Sequence, residues 1–242
     1  MDPALWQYVN NPCYLQDIND ASSAVVNFDY FPVHIYTLPS INGAQATPQQ
    51  LFEYFRLNWN QFIDNSVATF TPYQDPVIND GPLWQSSDPT TAMLHLNMAF
   101  NGSIIVSQYS ATSGKVQMAV KTVRTPLDGE HPVSGTRMWG ISPDGTGGYN
   151  FYTSGADRVT GIIETVLNTW GDRLPLIESG FEKADRLWTS LQDKMVAFII
   201  NNGGYAEKYS QPNFILRPQW DDVDLYLKKQ IPLDELKRRI GC

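Results

Sequence analysis

The feature that most constrains this chain is a run of alternating stripes in its middle, interrupted by turn residues. In AMLHLNMAF (residues 92–100), Leu94, Leu96, Met98 and Phe100 alternate with His95, Asn97 and Ala99. Successive side chains of a strand point to opposite faces, so this stripe requires a half-buried strand. Asn101-Gly102 follows, a pair suited to a two-residue hairpin turn because both positions need positive φ. SIIVSQYS supplies the return strand, and a turn at Thr112-Ser113-Gly114 leads into KVQMAVKTVRT, which alternates again. After a longer loop, TRMWGI and YNFYTS form two more strands joined by SPDGTGG. Neighbouring strands pair most simply as an antiparallel meander.

Helical patterns flank this block. TPQQLFEYFRLNWNQFID (residues 47–64) has Thr47 as N-cap, Pro48 in the first turn and Gln50 closing a capping box. Phe52, Phe55, Trp59 and Phe62 recur at helical spacing, and that aromatic face predicts a helix packed across the sheet. Residues 159–170 place Ile162, Ile163, Val166 and Trp170 on one stripe. A longer helix is expected from SGFE, with Ser179 and Glu182 as a second capping box. It carries Phe181, Ala184, Trp188, Leu191, Met195 and Phe198 and stops at Asn202-Gly203-Gly204, a C-cap signature. Upstream, residues 33–38 read as one strand in an irregular segment broken by Pro12, Pro32 and Pro39.

The expected class is therefore α+β: an antiparallel meander of about five to six strands, amphipathic helices across one face, and a sheet able to curve into a pocket. A sheet gripping a long helix, as in START-like ligand pockets, has this element order, a resemblance of architecture only. One domain is expected over residues 1–242, with an irregular segment to 45, an α+β core over 46–204 and a tail of short helices over 205–242.

Composition removes several function classes. Net charge is −8, from 17 basic and 25 acidic residues, the reverse of a nucleic-acid-binding field. The basic group Lys228, Lys229, Lys237, Arg238 and Arg239 reads as the positive end of terminal helices. No apolar run approaches a membrane span, and MDPALWQYV lacks the pattern of a cleaved signal peptide. A soluble protein is expected, cytoplasmic or translocated without such a signal. Cys13 and Cys242, near opposite ends, allow one disulfide but no framework. Three scattered histidines and no HExxH leave no expected metal site or cofactor. SPDGTGGYN lies between strands, so it reads as a hairpin loop and not a phosphate loop.

Two polar clusters remain, EHPVSGTRMWG (residues 130–140) and YTSGADR (residues 152–158). If their strands pair as a hairpin, His131, Ser134 and Arg137 share a sheet edge with Tyr152, Thr153, Asp157 and Arg158. His131 could move a proton, Ser134 could act as nucleophile and Asp157 could complete a catalytic set. Arg137 and Arg158 offer forks for an anion, with Tyr152, Thr153 and His95 as further ligand contacts. The same residues also have plain structural roles: Asp157 as a helix cap, Ser134 stabilising a Pro-Val-Ser-Gly turn, Arg137 packing over Trp139. The reading that follows is a domain binding a small, anionic ligand at this edge. Its alternatives are an enzyme of a translocated effector or toxin type using His131 as acid/base, and a non-catalytic interaction module. A protein partner would meet the aromatic N-terminus (Trp6, Tyr8, Tyr14) or the tail beyond Tyr205.

Overall fold

The computed structural model describes residues 12–112, 114–161, 180–209 and 213–242. Its main element is a ten-stranded antiparallel sheet. The strands in chain order are β1 (Tyr14–Leu15), β2 (Val26–Thr37), β3 (Ser40–Ile41), β4 (Ala44–Gln45), β5 (Thr69–Pro72), β6 (Met93–Asn97) and β7 (Gly102–Thr112). They continue with β8 (Lys115–Arg124), β9 (Val133–Pro143), β10 (Tyr149–Val159), β11 (Tyr205–Lys208) and β12 (Phe214–Leu216). The helices are α1 (Pro48–Leu57), α2 (Gly81–Gln85), α3 (Gly180–Asn201), α4 (Trp220–Leu227) and α5 (Leu233–Ile240).

The α+β class and the meander agree with expectation, whereas the strand count does not. β5 to β10 pair consecutively, and β2 then closes on β10, giving the order β11-β2-β10-β9-β8-β7-β6-β5. β1 adds to the end of β8, and β12 pairs with β2 beside β11; β3 and β4 form a separate small ladder. The uncounted strands β1, β5, β11 and β12 are too short to show a stripe. β2 begins seven residues before the expected 33 because Asn27 and Asp29, 0% and 3% exposed, occupy its inward face and spoil the apolar alternation. Pro32 does not break β2; it falls between the segment paired with β12 (residues 28–30) and that paired with β11 (residues 33–37).

Helix α1 starts as read. Thr47 Oγ1 accepts from Gln50 N at 3.2 Å, and Gln50 Oε1 accepts from Thr47 N at 2.8 Å. It ends at Leu57, short of the expected 64. Asn58 Nδ2 bonds back to Tyr54 O at 2.9 Å, and a 3-10 turn over Trp59–Gln61 follows. The aromatic face is buried nonetheless: Phe52, Phe55, Trp59 and Phe62 join Trp139, Phe151, Trp188 and Met195 in one core between the sheet, α1 and α3. α3 closes as expected, with Gly203 at φ +78° and Gly204 N bonded to Ile199 O at 2.9 Å. The helix read over residues 159–170 lies almost wholly outside the described residues, as do Ser179, Trp6 and Tyr8. Val159 belongs to β10, so Asp157 is a strand residue and caps no helix.

Two hairpin readings had different outcomes. The loop after Pro143 is held by Asp144, whose Oδ1 accepts from Thr146 N at 2.7 Å and Gly148 N at 3.0 Å. Asn101-Gly102, in contrast, is not a two-residue turn. Gly102 opens β7 opposite Leu96 and is absent from the positive-φ positions, so the connection spans residues 98–101. What requires glycine there is contact: a Cβ on Gly102 would overlap the imidazole of His131.

On the other side of the sheet, α4 and α5 bring Val223 and Leu236 onto Val26 of β2, with Ile18, Phe28 and Trp220 around them. Three of the five basic residues near the C-terminus are paired locally: Lys228 with Asp224 (2.6 Å), Arg238 with Glu235 (2.7 Å), and Arg239 with Asp222 (2.9 Å). Cys13 and Cys242 are both free thiols. Tyr14 is 49% exposed beneath the Arg124 guanidinium. Among the described residues, no helix is long and apolar enough to cross a membrane, and no group of three or more His, Cys, Asp or Glu could hold a metal ion.

Candidate functional site

Between the inner sheet face and the N-terminal half of α3 lies a cavity of about 670 Å³. Phe70, Leu96, Ile104, Val120, Trp139, Val159, Leu187 and Trp188 give it a mostly apolar wall. Ionisable side chains enter from three places: Arg137 and Asp157 from the β9–β10 hairpin, His131 from the segment before β9, and Lys183 and Arg186 from α3.

The hairpin register explains which residues meet. Gly135 faces Asp157, Arg137 faces Gly155, and Trp139 faces Thr153. On β2, Asp29 pairs with Gly155 from the other side. Gly155 thus sits in the middle of a charged row, and a Cβ there would overlap the Arg137 guanidinium. Arg137 uses the vacant space to reach across: Nη1 donates to Asp29 Oδ1 at 2.8 Å and Nη2 to Asp29 Oδ2 at 2.6 Å. Nη1 also donates to Thr153 Oγ1 at 3.3 Å, and Asp157 Oδ2 lies 3.6 Å from Nη2. Trp188 of α3 covers the guanidinium, its ring centroid 4.3 Å from Cζ.

This pairing corrects the expectation that Arg137 is free to hold an anion. Asp29, whose side chain is 0% exposed, already fills its bidentate fork. Arg137 is also no surface residue over Trp139; Trp188 is its aromatic partner. Asn27 Nδ2 bridges Asp29 Oδ2 (2.7 Å) and Asp157 Oδ2 (3.2 Å). Burial, with the Asp29 charge adding to it, pushes the Asp157 carboxyl up to about 6 against the opposing pull of Arg137.

His131 is 4% exposed, and burial holds its imidazole down at about 4, so it is neutral at pH 7. Its Nδ1 meets only its own loop, at Val133 N (3.1 Å) and Val133 O (2.9 Å). Nε2 is buried without a hydrogen-bond partner among the described residues. Gln16 fixes the backbone here: its Oε1 accepts from His131 N at 2.6 Å, and its Nε2 donates to His131 O at 3.1 Å.

The other expected site residues lie elsewhere. Ser134 pairs with Arg158 in the register, so both point away from the Arg137 row. Ser134 is in β9 and not in a turn; its Oγ accepts from Gln16 Nε2 at 3.2 Å. Arg158, 3% exposed, donates to Ser23 O (2.9 and 2.6 Å) and Ile18 O (2.8 Å) and stacks 3.9 Å from the Trp220 ring centroid. It ties the N-terminal segment to α4. Tyr152 is on that outer face too, its hydroxyl accepting from Gln117 Nε2 at 2.7 Å. His95 sits opposite the buried Leu94 and Leu96, remote from the cavity wall, and bonds Asp128. Hence the Ser134–His131–Asp157 set is not assembled: no carboxylate or hydroxyl bonds the His131 ring among the described residues. Thr153 alone of the remaining candidates stays with Arg137 and Asp157.

Sequence reading missed Asp29, Asn27, Gln16, Lys183 and Arg186. The signal for the first two was NFDYF, polar residues two apart inside a β-rich run. Nothing local marked Gln16.

No protein-family model matches the chain, and no curated protein matches it. Solved structures do. A hypothetical protein, jhp0584, from Helicobacter pylori aligns over 71% of this chain and 87% of its own at 8% identity, with a TM-score of 0.42. A norcoclaurine synthase point mutant from Thalictrum flavum, in complex with a transition-state analogue, aligns over 74% of this chain and 98% of its own. Its identity is 9% and its TM-score 0.42. These likenesses concern the course of the backbone and assign no activity to this chain.

Proposed function

We propose that the protein binds a small amphipathic molecule, its apolar body in the cavity between sheet and α3 and an acidic head at the α3 rim. The observation that carries this reading is the cavity itself, about 670 Å³ with a mainly apolar wall, in the size range of ligand pockets. Three buried polar atoms of its lining residues lack a hydrogen-bond partner among the described residues: Nε2 of His131 and Nε1 of Trp139 and of Trp188. Unpaired polar atoms are costly in a dry interior, and a ligand donor or acceptor there relieves that cost.

The head group is assigned to Lys183 and not to Arg137 or Arg158, both of which are fully engaged. Lys183 borders the cavity and has no ion-pair partner among the described residues. Arg186, 49% exposed and 3.7 Å from Asp64, stands at the same rim.

The test uses N-phenyl-1-naphthylamine fluorescence, with decanoate and decanol as competitors. Saturable probe binding is expected, lost in Ala184→Trp, which fills the cavity. Lys183→Gln weakens displacement by decanoate about tenfold or less, as befits one surface charge, and leaves decanol unchanged. Absence of saturable probe binding, or its survival in Ala184→Trp, overturns the reading.

A further inference from the structure

The three histidines have different fates. His131 is buried in the cavity wall. His34 is engaged at both nitrogens, Nδ1 with the Tyr209 hydroxyl (3.3 Å) and Nε2 with Asp144 (3.3 Å). His95 is held at one nitrogen only. Its Nδ1 lies 2.8 Å from Asp128 Oδ1 and 3.0 Å from Oδ2, and no partner meets Nε2 among the described residues.

The Asp128 side chain, 1% exposed, is itself fixed. Ser103 Oγ donates to it, Thr125 Oγ1 stands 3.1 Å from Ser103 Oγ, and Asp128 N donates to Thr125 Oγ1 at 3.2 Å. Paired backbone bonds between Thr125 and Gly129 close the short loop that carries it. A buried carboxylate on Nδ1 fixes the tautomer with the proton there and leaves the lone pair on Nε2. The His95 side chain is 22% exposed, and it borders an outer-face groove of about 370 Å³. Thr71, its cross-strand neighbour, lines the same groove with Gln74, Asn79 and Leu127. Apart from His95, no ionisable side chain among the described residues lines it.

We propose that this groove is a hydrolytic site for small uncharged esters, with His95 as general base and Asp128 as its positioning residue. It is independent of the interior cavity. Nε2 takes a proton from water while the water oxygen bonds to the ester carbonyl carbon. The tetrahedral intermediate then expels the alkoxide, breaking its C–O bond, and the alkoxide takes the proton back from Nε2–H. A carboxylic acid and an alcohol leave, and the imidazole is restored. The side-chain amides of Gln74 and Asn79 are the donors for the carbonyl oxygen; Asn79 Oδ1 is engaged by Gly81 N at 3.1 Å, which leaves its Nδ2 for this role. The uncharged lining selects uncharged substrates, since a lone buried charge would go unpaired.

With the full chain and 4-nitrophenyl acetate as probe, turnover should exceed that of equimolar free imidazole by about 100-fold or more, the lower end of positioned acid–base catalysis. His95→Gln should abolish it, and Asp128→Asn should lower kcat about tenfold at unchanged KM. His34→Gln and the cavity-filling Ala184→Trp should leave it intact. A wild-type rate no higher than free imidazole, or a His95→Gln chain hydrolysing at the wild-type rate, overturns the proposal. Should His95→Gln fold poorly, carbethoxylation of the wild-type chain, mapped by mass spectrometry, decides the matter: activity must fall in step with modification of His95, and activity surviving its full modification overturns the proposal.

Discussion

Arg137 and Arg158 stand on adjacent, paired strands, each under a tryptophan, yet they work on opposite faces of one hairpin. Arg137 faces the cavity and spends its fork on the Asp29 carboxylate, with Asp157 close by. Arg158 faces outward and spends its fork on the backbone carbonyls of Ser23 and Ile18. The first belongs to a titrating network beside a cavity; the second is a staple holding the N-terminal segment and α4 against the sheet. Residue type does not separate them. The acceptors do.

Removing the cavity arginine should have the largest effect. Arg137→Ala strands the buried Asp29 carboxylate, and removing one partner of such a pair costs about 3–5 kcal/mol. Chemical denaturation giving a loss under about 1 kcal/mol would show that Asp29 tolerates isolation and that the pair is not a buried network. Arg158→Ala should cost somewhat less, about 2–3 kcal/mol, by orphaning buried carbonyls. Its N-phenyl-1-naphthylamine affinity should stay at the wild-type value, and a shift there would erase the division between faces.

Gly102→Ala probes the cavity side from another direction. The added methyl meets the His131 ring, an overpacking change worth about 1–3 kcal/mol. Ligand-probe affinity should fall as well, because the imidazole must leave its place in the cavity wall.

The smallest expected effect is in pH dependence, where two linkages oppose. His131, near 4 when folded, contributes stability that is present above its ordinary value of about 6.5 and is lost as pH falls toward 4. Asp157, near 6 when folded, contributes stability that is present below its ordinary value of about 3.9 and is lost as pH rises through 6. Between pH 6 and 4 the two slopes cancel, leaving wild-type stability level to about 1 kcal/mol. Asp157→Asn should unmask the histidine, so that stability declines across that window in denaturation at pH 6, 5 and 4. A flat profile in the variant would show that the His131 imidazole does not set the acid side of the stability curve.

Much of the scaffold was legible in the chain. The alternation in residues 92–159 marked the meander, and Thr47 with Gln50 marked the start of α1. Both signals are local, involving neighbours a few positions apart. Legibility failed where a distant partner set the requirement. Gly102 reads as a turn glycine until His131 is seen against it. Asn27 and Asp29 read as a gap in a strand until Arg137 is seen across Gly155. Leu57 ends α1 where the pattern ran on because Asn58 turns its amide back on the helix.

The sequence by itself determined the five consecutive strands of the meander, that these pair as neighbours, and that His131, Arg137, Thr153 and Asp157 lie on one hairpin or at its entrance. Only the tertiary structure decided that Ser134, Tyr152 and Arg158 face the other way. The reason is that a strand's two faces are equivalent until something packs on one of them. Here α1 and α3 take one face, while the N-terminal segment and the C-terminal helices take part of the other. The hairpin's polar residues are divided accordingly.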